Sequence, residues 1–384
     1  MSTKDFIPYG RQTIEEDDIK AVTDVLRSPF LTTGPKVKEF ENAVADYVQA
    51  KEAVAVSSGT AALHAAMAVA GLGPGDEVLV PSLSFLATAN AALYVGAKPV
   101  FVDSLADGFN MDPQDAARKI TKRTKAIAPV DFAGQPLDEF LYRLAKERGL
   151  LIIEDAAHAL GARQSGRMVG SIADLTVFSF HPVKHITTGE GGMVTCLNPA
   201  LARKLRQFRH HGIDVDVVQR DFEQRWSYDM TALGYNYRLT DLQCALGISQ
   251  LKKIERFLER RESIAREYDT AFADLSFVQL PPRSVGTDRH AWHLYIIRLK
   301  TSELGFSRDD AFNRLRRQQI GAHVHYRPIH LHPYYKALGW KPGDCPQIEK
   351  TFMAMLSLPI YPGMTPEMVR RVIAAVKELG QVKV

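Results

Sequence analysis

Hydrophobic and polar positions follow two different patterns along this chain, first a helical period and then a series of short apolar runs. Apolar residues repeat at helical spacing over residues 19–26 and again over 37–47, which predicts two amphipathic helices. From residue 53 the short runs alternate with helix-period segments; the runs are 53–56, 77–82, 98–103, 125–130 and 150–155. Because strands that alternate with helices are joined by right-handed crossovers, this pattern predicts an α/β fold, with a mostly parallel sheet covered by helices on both faces.

Two further apolar runs, at 174–180 and 192–196, have no segment of crossover length between them. We therefore expect these two strands to pair closely, and an antiparallel arrangement is open to them. A long helical pattern extends from about Thr240 to Phe272. The stretch 213–235 before it shows no clear period, which is typical of a functional or mobile loop.

The last third of the chain has the pattern of a smaller α+β region. The expected elements are strands near 291–299 and 322–326 and helices near 307–318 and 365–379. We therefore divide the chain near residue 250, into a large domain of residues 1–250 that would bind the cofactor inferred below, and a small C-terminal domain of residues 251–384.

Composition and charge exclude several classes of protein. Apolar residues make up 46% and charged residues 24% of the 384 positions, which is ordinary globular usage and not that of a disordered or fibrous chain. The net charge is +4, from 48 basic and 44 acidic residues, and no block of five like charges concentrates it. A nucleic-acid partner is therefore not predicted. The chain also lacks a run of 18 apolar residues, so we expect no membrane association.

The three cysteines, Cys196, Cys244 and Cys345, are far apart and odd in number. They match neither a zinc-site spacing nor a disulfide framework, and they suit a reducing compartment. The first twenty residues are polar and acidic, without the basic and apolar regions of a signal peptide. We therefore expect a cytoplasmic protein.

Small and charged residues follow two of the predicted strands, at the carboxyl ends where doubly wound sheets bind ligands. The segment SSGT (57–60) leads from a strand into a helical pattern, so its backbone N–H groups could hold a phosphate or form an ordinary helix cap. Asp155 ends the run 150–155, where a buried carboxylate needs a partner. That partner could be a protonated ring nitrogen or the N-terminus of the next helix.

A single lysine, Lys184, lies in the predicted turn between the strands 174–180 and 192–196. Ser179 precedes it, and a glycine-rich segment at 189–192 follows, so the backbone can approach a ligand closely. Lysine in such a turn is normally a solvated surface residue. Beside a phosphate turn and a strand-end carboxylate, a desolvated lysine with a lowered pKa can instead form a Schiff base with an aldehyde.

A second glycine-rich stretch, at residues 71–75, superficially resembles a dinucleotide-binding turn. It precedes a predicted strand, whereas the dinucleotide fingerprint follows one and opens a helix. A nicotinamide enzyme is therefore not predicted.

Specific motifs carry a family resemblance that covers almost the whole chain, from residue 8 to residue 365. The motifs are SSGTAALH (57–64), PSLSFLATANA (81–91), EDAAHALGA (154–162), FSFHPVKHITTGEGG (178–192) and LGYNYRLTD (233–241). Together they resemble the sugar-nucleotide aminotransferases of the DegT/DnrJ/EryC1/StrS family. The resemblance implies a pyridoxal 5'-phosphate enzyme of fold type I, acting as a homodimer with composite active sites.

The resemblance also implies a role for each matching residue of the cofactor site. Lys184 would be the Schiff-base lysine and proton carrier, Asp155 would pair with the pyridine nitrogen, and Phe85 would stack on the ring. The phosphate ligands would be Thr60, Ala61, Ser179 and, from the partner subunit, Asn236. His158 would lie beside the ring hydroxyl, where many relatives have Gln.

Within the family, the sequence is most similar to the C4 transaminases of pseudaminic acid synthesis, through segments such as 130–138 and 324–335. This similarity implies transfer of an amino group from L-glutamate to UDP-2-acetamido-2,6-dideoxy-β-L-arabino-hex-4-ulose, which gives UDP-4-amino-4,6-dideoxy-N-acetyl-β-L-altrosamine. The residues expected to bind the nucleotide sugar are Tyr9, Arg11, Lys36, Arg238, His325, Tyr326, Arg327 and His330. Another UDP- or dTDP-4-ketosugar, of the aminoarabinose or perosamine type, is the alternative substrate.

The histidine-rich segment 323–335 has a competing interpretation as a metal site. No carboxylate or thiol lies in it to complete a ligand set, and the close paired spacing of structural metal sites is missing. We therefore predict no metal.

Two further functions are open on the same fold. A sugar dehydratase is one, but relatives of that class have histidine where Lys184 stands here. A catalytically silent regulator is the other, and the intact set of Lys184, Asp155, Thr60 and Ser179 argues against it.

Overall fold

A computed structural model of the chain describes residues 6–214, 226–283, 286 and 288–381. In this part, seven strands form one central sheet and two short strands form a separate hairpin. The sheet strands are β1 (Glu52–Val56), β2 (Glu77–Pro81), β3 (Lys98–Val102), β4 (Thr124–Ile127), β5 (Leu151–Asp155), β8 (Leu175–Ser179) and β9 (Gly192–Cys196), and the hairpin strands are β6 (Arg163–Gln164) and β7 (Arg167–Met168). The order across the sheet is β1-β9-β8-β5-β4-β2-β3.

Strand directions confirm the predicted mostly parallel sheet. They also show that the last two strands, whose direction was left open, are antiparallel. The neighbours from β8 to β3 are all parallel, whereas β9 runs antiparallel to both β1 and β8. Gly192 at the start of β9 is in register with Val56 at the end of β1 and with Ser179 at the end of β8. The two turns that follow β1 and β8 are therefore brought side by side.

Helices cover both faces of this sheet, as the alternation of the sequence predicted. The helices of this region are α1 (Glu16–Leu26), α2 (Pro35–Val48), α3 (Gly59–Val69), α4 (Ala87–Tyr94), α5 (Pro113–Lys119), α6 (Glu139–Arg148), α7 (Pro199–Phe208) and α8 (Asp241–Leu251). Val54 and Val56 of β1 pack in the cluster that contains α3, whereas Ala53 and Ala55 pack on the other face against α2. The period-2 alternation of a strand thus feeds two separate cores.

The C-terminal region is the smaller α+β unit that the sequence predicted. Its elements are α9 (Ile254–Phe272), β10 (Val278–Gln279), β11 (Tyr295–Leu299), α10 (Thr301–Leu304), α11 (Arg308–Arg317), α12 (Pro333–Ala337), α13 (Pro346–Phe352), β12 (Met355–Leu358) and α14 (Pro366–Leu379). The strand order β10-β11-β12 is antiparallel throughout. Ile7 from the N-terminus joins this core through hydrogen bonds with Gln319 and Gly321. The division at residue 250 is retained as a proposal.

Two sequence predictions in this half were wrong. The expected long helix from Thr240 to Phe272 is two helices, because Lys253 leaves the helical path and places its Nζ atom 2.7 Å from Asp17 and 2.8 Å from Asp18. The expected strand at 322–326 is reduced to one bridge between His323 and Ser357. Part of the aperiodic stretch 213–235, residues 215–225, lies outside the described residues.

Candidate active site

A cavity of about 410 Å³ opens at the carboxyl ends of the parallel strands, between the central sheet and the C-terminal region. Residues from distant parts of the sequence line it. The predicted site residues among them are Tyr9, Thr60, Phe85, Asp155, His158, Ser179, Lys184, His325 and Tyr326. The fold thus brings together most of the residues that were expected to act on one ligand.

Lys184 lies in the turn between β8 and β9, as the sequence predicted. Its backbone N–H donates to the carbonyl of His181, 2.9 Å away, which closes the turn and leaves the side chain in the cavity wall. Burial lowers the pKa of the Lys184 ammonium to about 8, and the nearby Asp155 carboxylate opposes that shift. A lysine with this pKa is partly a neutral amine at physiological pH, which is the form that can act as a nucleophile or a base.

Asp155 ends β5 inside the same cavity and is almost fully buried. Its Oδ2 accepts a 2.7 Å hydrogen bond from the Thr88 hydroxyl, and its Oδ1 accepts one of 3.1 Å from the backbone N–H of Ala157. Burial raises the pKa of Asp155, while these two donors and the Lys184 charge act against the rise. In the described part of the chain no basic side chain forms an ion pair with Asp155, so a cationic ring nitrogen would complete its environment.

The turn after β1 forms a cradle of small residues at a helix N-terminus, which suits a phosphate group. Ser58 caps α3 by accepting a 3.0 Å hydrogen bond from the backbone N–H of Ala61. A Cβ atom added to Gly59 would lie 3.0 Å from the Ser179 side chain, and one added to Gly192 would lie 2.4 Å from the Ser58 carbonyl. Only glycine allows this close approach, which places a helix N-terminus beside the Ser179 hydroxyl.

His158 is buried, and a hydrogen bond from the backbone to its ring defines its tautomer. The N–H of Ala133 donates to His158 Nδ1 over 3.3 Å, so the ring proton of the neutral form lies on Nε2. Burial, with the charges of Lys184, His325 and His185, holds the pKa of His158 well below its ordinary value. A neutral donor at this position can bind a ring hydroxyl or its oxyanion.

Pyridoxal phosphate fits these residues at both ends. The buried carboxylate of Asp155 matches the ring nitrogen, and the cradle of Ser58, Gly59 and Ser179 matches the phosphate. Phe85 lines the cavity with more than half of its side chain exposed, so its ring is available for stacking.

The cavity mouth has an aromatic wall, defined here as Tyr9, His323, His325 and Tyr326. The ring of His325 lies 4.8 Å from Tyr9, 4.6 Å from His323 and 4.9 Å from Tyr326. Burial lowers the pKa of His325 to about 3, so the ring of His325 is uncharged at neutral pH. The wall is suited to the apolar and hydroxyl faces of a sugar.

Four basic residues that were predicted to bind the substrate do not line this cavity in their own subunit. Lys36 forms a 2.6 Å ion pair with Glu39 and lines a different cavity. Arg238 lies 2.7 Å from His210 in a third cavity. Arg11 borders a small crevice behind Lys184, and exposed Arg327 donates to the carbonyl of Leu331.

Two other predicted residues also lie apart from the cavity. His330 is completely buried between the Ser82 hydroxyl, 2.5 Å away, and the Glu349 carboxylate, 2.9 Å away. This environment makes it part of the scaffold, and the prediction that it binds substrate receives no support from its position. Asn236 is exposed, and its backbone forms a bridge with His210.

Sequence reasoning assigned no role to several residues that lie in the cavity wall or directly behind it. The Thr88 hydroxyl donates a hydrogen bond to the Asp155 carboxylate. The only sign of this role in the sequence was that Thr88 belongs to the motif at residues 81–91. His293 and Glu190 also line the cavity. His185, beside Lys184, is buried and donates from Nε2 to the carbonyl of Ala291, 2.9 Å away.

Within the described residues, no group of three His, Cys, Asp or Glu side chains is arranged to hold a metal ion. A search of the same residues found no helix with the length and hydropathy that a membrane span requires.

Comparison with known proteins relates this site to an enzyme family. The model of the DegT/DnrJ/EryC1/StrS aminotransferase family matches residues 12–377. The spore coat polysaccharide biosynthesis protein SpsC of Bacillus subtilis is 41% identical over 378 residues, which cover 97% of each chain.

Solved structures give the same result. Spr1654 from Streptococcus pneumoniae, described as a sugar aminotransferase and solved in its PMP-form, has a TM-score of 0.92 at 34% identity, covering 98% of this chain and 99% of that one. Helicobacter pylori PseC, an aminotransferase involved in pseudaminic acid biosynthesis, has a TM-score of 0.91 at 32% identity, with the same coverage. The chain therefore belongs to the DegT/DnrJ/EryC1/StrS aminotransferase family and is a pyridoxal-phosphate-dependent sugar aminotransferase.

Proposed function

We propose that this enzyme transfers the amino group of L-glutamate to C4 of a nucleotide-linked 4-ketosugar. The observation that carries the proposal is the pairing, in one cavity, of Lys184 at a pKa of about 8 with the buried carboxylate of Asp155. Pyridoxal phosphate, when bound, supplies an electron sink that makes the Cα proton of an amino acid removable. The protein residues supply the remaining requirements, which are binding, orientation and proton transfer.

Lys184 is the proton carrier in this proposal. As a neutral amine its Nζ atom would accept the proton from the Cα atom of the amino donor. As an ammonium it would return a proton to the C4′ atom of the cofactor. Asp155 keeps its negative charge and holds the ring nitrogen protonated, while Thr88 fixes the carboxylate orientation. Because Nδ1 of His158 accepts the Ala133 N–H, its Nε2 would donate to the ring oxygen of a bound cofactor.

The cofactor phosphate is assigned to the helix N-terminus formed by Thr60 and Ala61, together with Ser179. The backbone N–H groups and the dipole of α3 favour a dianion there. The side chain of Ser179 is within contact of the turn that presents them.

For the sugar, we propose UDP-2-acetamido-2,6-dideoxy-β-L-arabino-hex-4-ulose, with UDP-4-amino-4,6-dideoxy-N-acetyl-β-L-altrosamine as product. The likeness to PseC over 98% of the chain supports this choice. The aromatic wall offers an apolar shelf for the acetamido group. Arg11 and Arg327 remain candidate diphosphate ligands.

A second candidate substrate is another UDP- or dTDP-4-ketosugar. The likeness to SpsC, which is named for spore coat polysaccharide biosynthesis, keeps this alternative open.

A panel of nucleotide-linked 4-ketosugars with glutamate, read by mass spectrometry, separates the two candidates. We expect the acetamido-ketosugar to have the highest kcat/KM of the panel. A different ketosugar with a kcat/KM at least about tenfold higher, equivalent to about 1.4 kcal/mol of transition-state preference, would replace the proposed substrate and leave the transaminase intact. Glutamine, aspartate and alanine serve as control amino donors.

We further propose a homodimer in which each subunit completes its partner's site with Asn236, and with Lys36 and Arg238 as candidate substrate ligands. None of the three lies in the cavity of its own chain, which is what a composite site requires. The stretch just before Asn236 exposes apolar side chains, including Trp226 at 90%, Met230 at 67% and Leu233 at 75%. Neighbouring exposed apolar residues of this kind are typical of protein–protein interfaces.

Mixing inactive chains tests the composite site. Lys184→Ala and Asn236→Ala chains, co-refolded in equal amounts, should recover up to about one quarter of the wild-type sites. About half of the dimers would be heterodimers, and each heterodimer would contain one intact site of two. Activity and dimer content are measured before and after mixing, and each mutant mixed with itself is the control. A mixture that never exceeds its parents, with a clear defect in the Asn236 mutant, would refute cross-subunit binding.

A further inference from the structure

His293 lies in the cavity wall with a ring nitrogen that has no partner. Its side chain is 4% exposed, and its Nδ1 atom forms no hydrogen bond in the described part of the chain. A buried polar atom without a partner is destabilising. Because His293 lines the cavity, this nitrogen is open to a partner that is present at another stage of the reaction.

The backbone around His293 is held in an unfavourable conformation. Trp292, which precedes it, has a φ of 48°, and Ala133, which donates to His158, has a φ of 61°. A non-glycine residue with a positive φ is strained, and it persists only where its surroundings impose that conformation. Gly134 completes the junction, because a Cβ there would lie 2.8 Å from the Trp292 nitrogen. The strain thus falls on the residues that orient the two histidines.

Hydrogen bonds on both sides fix the position of His293 through its backbone. The N–H of Ala291 donates to the Gly134 carbonyl over 2.8 Å, and the N–H of Leu294 donates to the Ala133 carbonyl over 3.2 Å. Arg261 donates to the Trp292 carbonyl over 3.1 Å. The ring therefore needs no hydrogen bond of its own to stay in place, which leaves its nitrogens for another group.

The surroundings keep this ring neutral. The ring of His293 lies 4.3 Å from that of His158 and 5.7 Å from that of His185, the residue next to Lys184. Burial, with the charges of His158, Lys184, His185 and Arg261, holds the pKa of His293 well below its ordinary value. A neutral imidazole has one donor nitrogen and one acceptor nitrogen, so His293 offers an acceptor to a nearby N–H group.

Lys184 is the donor that matches it. Among the described residues, its Nζ atom forms no hydrogen bond or ion pair, although it lines the same cavity. We propose that His293 is a positioning residue that accepts a hydrogen bond from the Lys184 amine whenever that amine is not bonded to the cofactor. This inference rests on the aminotransferase chemistry of the proposed function, in which Lys184 carries protons, and it holds for any sugar substrate.

The proposal predicts the sign of a pKa change at Lys184. An acceptor stabilises the ammonium form, so removing it should lower the pKa of Lys184 further. The titratable groups close enough to couple to Lys184 are Asp155, His158, His181, His185, His293 and His325. The variants must therefore leave the other five unchanged.

The test compares His293→Phe, which keeps a ring and removes the acceptor, with His293→Asn, whose amide oxygen can replace Nδ1. The full-length protein is freed of cofactor, and the rate of visible-band formation with added pyridoxal phosphate is measured against pH. This rate reports the neutral fraction of the Lys184 amine. Steady-state kcat and KM for both substrates are measured on the reloaded enzymes.

For His293→Phe we expect the midpoint of the capture rate to fall by about 0.5–1 pH unit, since one hydrogen bond contributes about 0.5–1.5 kcal/mol. Its kcat should fall at least about tenfold, with KM nearly unchanged, because a misplacement of about 1 Å can slow a reaction by as much as about 10²-fold. His293→Asn should restore the midpoint and most of kcat. His293→Leu replaces the Phe variant if the larger ring prevents folding.

An unchanged midpoint in the Phe or Leu variant, or an Asn variant no better than either, overturns the proposal. His64→Phe is the matched control, because His64 is equally buried among aromatic rings but lies outside the cavity. It should keep the wild-type midpoint. If wild-type protein forms no visible band at all, the cofactor chemistry fails instead, which separates the two outcomes.

Discussion

Replacing Lys184 with alanine is expected to reduce the rate of transamination by about 10⁴-fold, because one side chain is both nucleophile and proton carrier. The variant should still bind pyridoxal phosphate, since the cradle at Ser58, Gly59 and Ser179 and the carboxylate of Asp155 are untouched. Wild-type protein should show a visible absorption band, and borohydride should fix the cofactor to the chain. Lys184→Ala should show no such fixation.

The measurement is the multiple-turnover rate together with the mass of the intact chain after borohydride treatment. Lys98→Ala is a suitable control. Lys98 is an exposed lysine that pairs with Glu77, and it lies at the amino end of β3, away from the cavity at the carboxyl ends of the strands. It should behave as wild type in both measurements. Retained turnover in Lys184→Ala would overturn the assignment of the catalytic lysine.

Replacing Asp155 with asparagine is expected to lower kcat by about 10²–10³-fold, the effect typical of removing one preorganised electrostatic group from a buried site. A neutral amide cannot hold a ring nitrogen in its protonated form. The interaction strengthens as negative charge develops in the reaction, so kcat should fall much more than KM rises. The fold should survive, because the asparagine oxygen can accept the Ala157 N–H while its NH2 group donates to the Thr88 hydroxyl, which can turn to accept.

Single-turnover rates of the glutamate half-reaction, with thermal denaturation as a fold check, measure this effect. Asp155→Glu keeps the charge one methylene further out and should recover part of the lost rate. A variant with a raised KM and an unchanged kcat would show that Asp155 binds substrate instead. A Glu variant no faster than the Asn variant would show that charge is not what matters at this position.

The alternation of apolar runs and helical segments predicted the parallel sheet and the helices on both of its faces. It did so because each strand and each helix must bury an apolar face, and that requirement is local. The helix expected from Thr240 to Phe272 shows the limit of this reasoning. The helix is interrupted at Lys252 and Lys253, and Lys253 forms ion pairs there with Asp17 and Asp18, more than 230 positions away. Periodicity carries no information on such distant contacts.

The candidate site divides in the same way. Asp155, Ser179 and Lys184 stand at strand ends next to turns, so their positions in the sequence made them candidates, and the family resemblance gave each a role. His330 lies in a histidine-rich segment that looked functional, yet the fold buries it between Ser82 and Glu349. His293 gave no local signal, although the fold places it in the cavity wall.

The sequence by itself determined the sheet, the turn that carries Lys184 and the strand end that carries Asp155, because these follow from local period and turn chemistry. Only the tertiary structure showed that both residues share a cavity with His158 and His293, and that Thr88 donates a hydrogen bond to the Asp155 carboxylate. It also decided the protonation states, since the pKa of Lys184 falls to about 8 only when burial removes water from its ammonium. Desolvation depends on everything packed around a group, so it becomes defined only when the chain has folded.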